Sequence, residues 1–474
     1  SWRMSAGPSN WDAAWVFVKY KVQGQNWQHA TLSTNASHYS FNTSLSIPSA
    51  MTFYPASDGK GVFIYRSADG TGNIDLKDVL LRWNYGTDGV SDGANLQIQV
   101  FAIEMVYIPT GPFFIGDGNI STPPSTKGFT INNQGNNLPY LVTSENAITF
   151  ISSSSTSTTS VYNPAYTSGY TLPASFPKGY EAFYIMKYEI SQKQYVDFFN
   201  TLPNDATRSN RNLGCNSSST SETNRNNFYW SGQVNDDAIL TNGKSGDRAC
   251  NYLHFADGCA FADWAALRPI TELEFEKASR GCDLTNPGNP VPIFPVNGEY
   301  AWGSTAINNV GSLVNDGTAN EGLPSPLTNQ ANAQYSGTSI SGPLRNGIFA
   351  AKGWTTDQRK QSGASYYGVM ELSGNLAEWV KPTYACNSGS YNFTGNNGDG
   401  VLSANSNANQ SYWNGSYSEV ALSNDWYFAL KGGGYASPSS ELRTSDRSSS
   451  MFSTSCYSGS GRSSDRGFRC GRRP

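Results

Sequence analysis

The segment near the C-terminus raises the question of a reactive centre. Residues 430–450 read LKGGGYASPSSELRTSDRSSS, in which three consecutive glycines precede a tyrosine, several serines and spaced arginines. A serine could act as a nucleophile here if a neighbouring base activated its hydroxyl. The segment contains no histidine, and His254 has no obvious serine partner in the sequence. The chemistry of this segment therefore depends on what the rest of the chain brings to it.

The cysteines and histidines do not fit the common zinc and iron sites. The chain has seven cysteines, three histidines and no C-x-x-C pair, which argues against a zinc finger or a His-rich iron site. In an oxidising compartment the cysteines could form up to three disulfides and leave one thiol free. Disulfides are predicted within the Cys215–Cys282 region, and the pairing cannot be read from the sequence. The seven are Cys215, Cys250, Cys259, Cys282, Cys386, Cys456 and Cys470.

The composition is that of a folded chain rich in strands and loops. Of its 474 residues 14% are charged and 13% are aromatic, whereas disorder needs high net charge and few aromatics. The net charge of −4 and the lack of a basic stripe exclude nucleic acid as the expected partner. The sequence contains no run of about 18 apolar residues, so no membrane span is predicted. The polar composition favours a secreted or cell-surface location, and a removed signal peptide or a processed precursor would explain the start at Ser1.

The elements that must position any site begin with an all-β unit. Within residues 1–103, runs such as AAWVFVKYKV and NLQIQVFAIEM are typical of strands, and Asp- and Gly-rich turns separate them. This pattern predicts a β-sandwich-like domain that binds, spaces or assembles. Its aromatic residues are expected mainly in the core, with a binding patch as the alternative. Those that could form such a patch are Trp2, Trp11 and Trp27.

A second module is predicted over residues 104–474. It starts with MVYIPTGPFFIGDG and continues with a Ser/Thr-rich insertion at about 119–175, which predicts a surface loop with little packing. Ser191 is expected to cap a helix, and another helix is expected over 255–267. Residues 271–281 form a capping-box pattern that ends at a glycine, and the three glutamates of that helix are expected on a solvated face. They are Glu272, Glu274 and Glu276.

These segments, in this order, resemble the formylglycine-generating enzyme family, also called the sulfatase-modifying factor family. The resemblance covers about residues 105–474 and implies an α+β, loop-rich domain with a duplicated, irregular variant of the C-type-lectin fold. The N-terminal β unit lies outside it. The motifs that carry the resemblance are MVYIPTGPFFIGDG, FYIMKYEISQKQYVDFF, WAALRPITELEFEKASRG, EYAWGS, GVMELSGNLAEWV, LKGGGY and GFRCGR.

The resemblance implies a degenerate catalytic site. Active members oxidise a substrate cysteine with oxygen and copper, and two cysteines of the closing segment hold Cu(I), a soft metal that prefers soft ligands. The corresponding positions here are Ser437 and Leu442. Another branch of the fold uses a His-rich iron site, which three histidines cannot supply. We therefore expect no copper and no catalysis, and Arg443 and Arg469 are expected to brace the closing strands.

The resemblance also implies a structural calcium ion in the segment ELSGNLAEW. The family's ligands map to Glu371, Gly374, Leu376 and Glu378, which would supply hard oxygens around a tight glycine turn. The alternative is that Glu378 and Asn375 only satisfy backbone groups of the loop.

Three functions remain open from the sequence. The first is a secreted or cell-surface, non-catalytic binding or structural protein, one form of which is a self-assembling filament or surface-layer subunit that forms a homo-oligomer or polymer. The second is an enzyme with repurposed oxidase-type chemistry in the same cleft. The third is a receptor for a carbohydrate or protein ligand, which the lectin-like fold and the aromatic residues favour.

Overall fold

A computed structural model describes most of the chain. The described residues are 3–4, 10–41, 51–118 except 71 and 73, 128–133, 136–151, 161–162, 169–283 except 204, 234 and 235, 290–324, 332–350, 358–384, 393–413, 419–422, 428–448 and 461–474.

Short strands dominate the described structure. The helices are α1 Gln192–Asn200, α2 Asp205–Arg211, α3 Phe255–Trp264, α4 Glu272–Arg280 and α5 Gln358–Gln361, with 3-10 turns at Ala36–His38, Thr241–Gly243 and Ser439–Leu442. The strands are β1 Arg3–Met4, β2 Asn10–Val22, β3 Gln28–His29, β4 Met51–Pro55, β5 Val62–Arg66, β6 Leu96–Ile108, β7 Phe113–Ile115, β8 Thr130–Asn133, β9 Asn136–Leu138, β10 Tyr140–Val142, β11 Ile148–Ile151, β12 Val161–Tyr162, β13 Tyr170–Leu172, β14 Phe183–Met186, β15 Phe228–Tyr229, β16 Ile239–Leu240, β17 Arg268–Pro269, β18 Cys282–Asp283, β19 Val291–Pro292, β20 Asn308–Asn309, β21 Asn332–Ala333, β22 Ala377–Val380, β23 Ala429–Lys431, β24 Arg466–Gly467 and β25 Cys470–Arg472. The mixture of few helices and many strands confirms the α+β, loop-rich class.

The largest sheet joins both ends of the chain. Within the described residues it has nine strands in the order β17-β25-β14-β6-β2-β5-β4, with β1 and β3 also pairing with β2. The long strand β6 pairs antiparallel with β2 along residues 96–106. Its last four residues, 105–108, pair with β14. Strand β6 therefore links the N-terminal strands to the C-terminal ones in one hydrogen-bonded surface.

Strand β2 explains why this sheet lies in the core. Successive side chains of a strand point to opposite faces, and β2 is apolar on both. On one face, here called the helix face, Trp15 Nε1 donates to Ala265 O at 2.9 Å and Phe17 contacts Trp264 edge to face at 5.1 Å. On the other face Val16 and Val18 pack in a second apolar cluster. Both faces of β2 are therefore buried.

The predicted boundary between residues 103 and 104 falls inside strand β6. The described part of residues 1–103 does not form two facing sheets of its own, because β2, β4, β5 and β6 are one half of the shared sheet. Trp15, Phe17 and Phe63 are fully buried in a cluster that includes Trp264. Phe17 contacts Trp264 and Phe63 stacks on Tyr184, so residues of the second module help to bury these aromatic side chains.

The predicted helix caps are confirmed. Ser191 caps α1 reciprocally with Gln194, and Thr271 caps α4 reciprocally with Glu274. Gly281 ends α4 with a φ of +85°. These signals are local, so the sequence is sufficient to predict them.

The solvated face predicted for α4 is wrong. Its three glutamates are at most 1% exposed, because the helix is enclosed on all sides. Each carboxylate is compensated by a buried arginine that comes from elsewhere in the fold or from the next turn. The pairs are Glu272 with Arg447, Glu274 with Arg268 and Glu276 with Arg280.

The Ser/Thr-rich insertion has more packing than predicted. Its described residues form a five-stranded sheet in the order β13-β11-β12-β8-β9. Phe129, Phe150, Val161 and Leu172 are fully buried there. The apolar residues are few but alternate along short strands, so a polar composition conceals a core. The run SSSSTSTTS lies outside the described residues.

The described cysteines are free thiols. Cys215, Cys250, Cys259 and Cys282 are unpaired, so the disulfides predicted within this region are not formed. Burial raises the pKa of Cys215 to about 12 and that of Cys282 to about 11, which makes both thiols unreactive. Cys470 is also free and buried, whereas Cys386 and Cys456 lie outside the described residues.

None of the described helices is long and apolar enough to cross a membrane.

Candidate functional site in the closing segment

The closing segment begins with a short strand and a glycine turn. Strand β23 pairs with β22, with Lys431 opposite Glu378, and β24 lies on the other side of β22. Gly432 and Gly433 follow with φ values of +83° and +60°. A Cβ on Gly433 would lie 2.7 Å from Leu442 Cδ1. The turn therefore requires glycine for its backbone conformation and for space.

Ser437 stabilises this turn. Its Oγ accepts a hydrogen bond from Gly434 N at 3.2 Å, and its own N–H donates to Gly434 O at 2.9 Å. Its carbonyl accepts from Ser336 N at 2.9 Å. Ser437, which stands at the first predicted copper position, therefore stabilises the backbone of the glycine turn.

Leu442 is a core residue. It is fully buried in a cluster with Tyr300, Trp302 and Ala333. It ends the 3-10 turn Ser439–Leu442, and its carbonyl accepts from Ser373 Oγ at 2.7 Å. The leucine side chain has no atom that can bind a metal, and apolar residues enclose it. The residues present therefore do not fit a copper site.

A cleft of about 230 Å³ lies beside Ser437. Trp379 and Phe428 form its apolar part, with ring centroids 4.5 Å apart, and the Arg466 guanidinium lies 5.1 Å from the Trp379 ring. None of the described lining residues is a cysteine or a histidine. They are Ala377, Trp379, Phe428, Ala429, Leu430, Lys431, Gly433, Ser437, Glu441, Asp446, Ser448, Asp465 and Arg466.

Lys431 lines this cleft, and its side chain is buried. It is 1% exposed, and its Nζ donates to the carbonyls of Thr444 and Asp446 at 2.8 Å. Burial lowers the pKa of Lys431, while the nearby Glu276 and Glu272 raise it. Burial raises the pKa of Asp446, whose carboxylate accepts from Ser448 Oγ at 2.5 Å. The cleft thus has a polar, mixed-charge wall suited to hydrogen bonding.

A known protein family matches the part of the chain that contains this cleft. The family model described as "Sulfatase-modifying factor enzyme 1-like domain" matches residues 172–474. The chain belongs to this family. The match begins at residue 172 and so does not include the opening motif or most of the insertion, which the resemblance had included. A search of curated proteins found no match.

In the predicted calcium loop, residues 371–378, the carboxylate of Glu378 is already paired with the guanidinium group of Arg469. Glu378 and Arg469 make a bidentate pair, with nitrogen–oxygen distances of 2.9 and 2.8 Å. Glu371 Oε1 accepts from Gly347 N at 3.0 Å, while its Oε2 is buried without a partner. Gly374 adopts a φ of +93°, and the Leu376 N–H donates to Glu189.

These contacts occupy one of the two acidic side chains of the predicted calcium ligand set. Both oxygens of Glu378 are bound by Arg469, so only one Glu371 oxygen remains free among the acidic ligands. Among the described residues no group of three or more His, Cys, Asp and Glu side chains could hold a metal ion. The alternative, in which Asn375 satisfies the loop, agrees with its hydrogen bonds to Leu344 N and Glu189.

Sequence reasoning missed Glu189 as part of this loop. The residue is fully buried, and its carboxylate accepts from Leu376 N at 3.1 Å and Asn375 Nδ2 at 2.7 Å. Burial and the neighbouring Glu378 raise its pKa. The available signal was a glutamate three residues after the apolar run FYIM and two residues before the Ser191 cap.

Proposed function

We propose that this protein is a non-catalytic member of its family that works outside the cell as a binding and structural subunit. The observation that carries the proposal is Leu442, which occupies a copper-ligand position and is buried among aromatic residues. Ser437, at the other position, is used by the glycine turn. The remaining cleft is polar and suits recognition of a ligand. The low content of charged residues, 14%, supports the extracellular location.

Copper binding and oxygen consumption test the absence of catalysis. We expect the purified protein to bind no stoichiometric Cu(I) in competition with a chromogenic chelator, and to consume no oxygen above background with a cysteine-containing peptide. The five described thiols are buried or have a raised pKa, which disfavours thiolate ligation. A Cys456→Ser variant is the matched control for the closing segment. Stoichiometric Cu(I) binding with turnover would show that the protein is an oxidase.

The edge of β6 supports self-assembly. Residues 96–103, LQIQVFAI, pair with β2 on one side, and no described strand pairs with their other side. Ile98 and Val100 are 54% and 60% exposed. The segment has no charge and no proline, the devices that usually protect an edge strand. A second copy is the proposed occupant, because an uncharged edge can pair antiparallel with itself across a two-fold axis without like-charge repulsion.

A single charge should disrupt this assembly. We expect the native protein to form dimers or longer polymers in negative-stain images and in sedimentation velocity, and Val100→Lys to shift it to monomers, because a lysine would face its copy across the new pair. Val291→Lys places the same charge at another exposed valine, 55% exposed, and should leave assembly unchanged. A native protein that is monomeric at all concentrations would refute the structural role.

A further inference from the structure

A second groove lies away from the closing segment, on the helix face of the large sheet. Two adjoining cavities of about 430 and 490 Å³ meet there and share Asn26, Trp27, Leu202 and Pro203. Their sizes are within the range of small-molecule sites. One side of the groove is formed by the N-terminal strands and the other by the end of α1 and residues 400–406. The groove therefore exists only because the two parts of the chain share one sheet.

The floor of this groove, here called the β3 groove, is a ladder of polar side chains. Lys19 lies opposite Gln99 on β6 and opposite His29 on β3, and Lys21 lies opposite Gln97. Cross-strand partners point to the same face, so these side chains line one surface. The two glutamines are exposed and present amide donors and acceptors side by side.

Trp27 adds a flat apolar surface to the polar floor. It is partly exposed and lines both cavities. Trp11, in contrast, is stacked against Tyr107 at 3.9 Å and Tyr65 at 5.1 Å, and Trp2 lies outside the described residues. Trp27 is therefore the tryptophan of the predicted patch that is placed to contact a ligand. An indole ring can pack on the C–H face of a sugar ring while neighbouring amides bind its hydroxyls.

Two buried polar atoms beside the β3 groove have no hydrogen-bond partner among the residues that the structure describes. His29 is 6% exposed, and its Nε2 lies 2.6 Å from Lys60 O. A carbonyl only accepts, so Nε2 carries the proton and Nδ1, which has no partner, is a free acceptor. Ser406 is 1% exposed, and its Oγ also has no partner. Such groups cost free energy unless a hydrogen-bonding ligand or water satisfies them.

The charges of the groove favour a neutral ligand. Asp197 is paired with Lys193, Arg208 with Asp237, and Lys19 with the Gly400 carbonyl at 2.9 Å. The lining contains both signs, so it attracts neither strong anions nor strong cations. A ligand with many uncharged hydroxyls matches this surface.

We propose that the β3 groove binds a neutral oligosaccharide chain, with Trp27 stacked on one sugar ring and Gln97 and Gln99 bound to hydroxyls. The site uses no metal. The β3 groove is separate from the cleft of the closing segment, so the test of this proposal does not depend on the outcome of the copper test.

Titration with a defined panel tests the proposal. The probes are neutral hexasaccharides of glucose, mannose, xylose and N-acetylglucosamine in α and β linkage. Calorimetry and tryptophan fluorescence measure their binding. We expect at least one to bind with a Kd of roughly 10 μM to 1 mM, equally well in calcium and in EDTA. Binding by none of the panel, or binding that EDTA abolishes, would overturn the proposal.

Variants separate the groove from other surfaces. Trp27→Ala should weaken binding of that hexasaccharide at least about tenfold, the equivalent of about 1.4 kcal/mol. Tyr85→Ala removes a tyrosine that is 42% exposed and lies outside the groove, so its affinity should equal that of the native protein. The exposed pair Gln97→Ala/Gln99→Ala tests the floor without disturbing the core, and should weaken binding several-fold. Unchanged affinity in both groove variants would place the ligand elsewhere.

Discussion

Replacing Arg469 by methionine is expected to lower the free energy of unfolding by about 3–5 kcal/mol. The guanidinium is fully buried and binds both oxygens of Glu378. It also donates to the carbonyls of Met186, Lys187 and Met370 at 2.7–2.9 Å. Its loss would leave three buried carboxylates together without their cation, which are Glu189, Glu371 and Glu378. Urea denaturation at constant pH measures the change.

Two further variants show whether the effect comes from the buried charge. Adding Glu378→Gln to Arg469→Met should recover part of the loss, because it removes one uncompensated carboxylate. Lys193→Met breaks an exposed pair with Asp197 and should cost less than about 1 kcal/mol. The native protein should unfold at the same temperature in calcium and in EDTA, since Arg469 already satisfies Glu378. A marked fall in EDTA would instead show that a metal ion stabilises the loop.

Replacing Lys277 by methionine is expected to stabilise the protein at pH 7, by about 3 kcal/mol. Lys277 is fully buried, and its Nζ donates to Gly111 O at 2.6 Å. Burial lowers its pKa to about 7. Between pH 7 and the ordinary lysine pKa of about 10.5, the unfolded chain binds a proton that the folded chain lacks. Native stability therefore rises with pH across this window and falls toward pH 7.

The pH dependence distinguishes this explanation from a simple packing gain. The advantage of Lys277→Met should be largest near pH 7 and should shrink as the pH approaches 10. Thermal or urea unfolding at several pH values measures the difference between the two proteins. Lys193→Met, which removes an exposed ammonium group, should leave the slope unchanged. An advantage that is constant with pH would mean that Lys277 has the same pKa in the folded and the unfolded chain.

Local signals in the sequence were reliable where the structure depends on neighbours in the chain. The capping pairs Ser191 with Gln194 and Thr271 with Glu274 form as predicted, and Gly281 ends its helix. The serine and leucine at the copper positions could be read directly, because a residue type decides which donor atoms exist. The family is confirmed for residues 172–474.

Long-range packing was not predictable in the same way. Glu272 of α4 looked solvated because its partner Arg447 is 175 residues away in the sequence. The acidic residues of the predicted calcium ligand set, Glu371 and Glu378, lie in one loop. The prediction could not foresee that Arg469 would bind the last of them. The role of Glu189 depends equally on contacts with a distant loop.

The sequence by itself determined the family, the helix caps, the glycine turn and the residue types at the two predicted copper positions, since each depends on residue type and short spacing. The tertiary structure alone decided that both ends of the chain share one sheet, that Leu442 is enclosed and that Arg469 neutralises the acidic loop. It also decided that Trp27 lines a groove while Trp11 is stacked between tyrosines. The physical reason is that burial and charge pairing depend on residues far apart in the chain, which meet only when the sheet has formed.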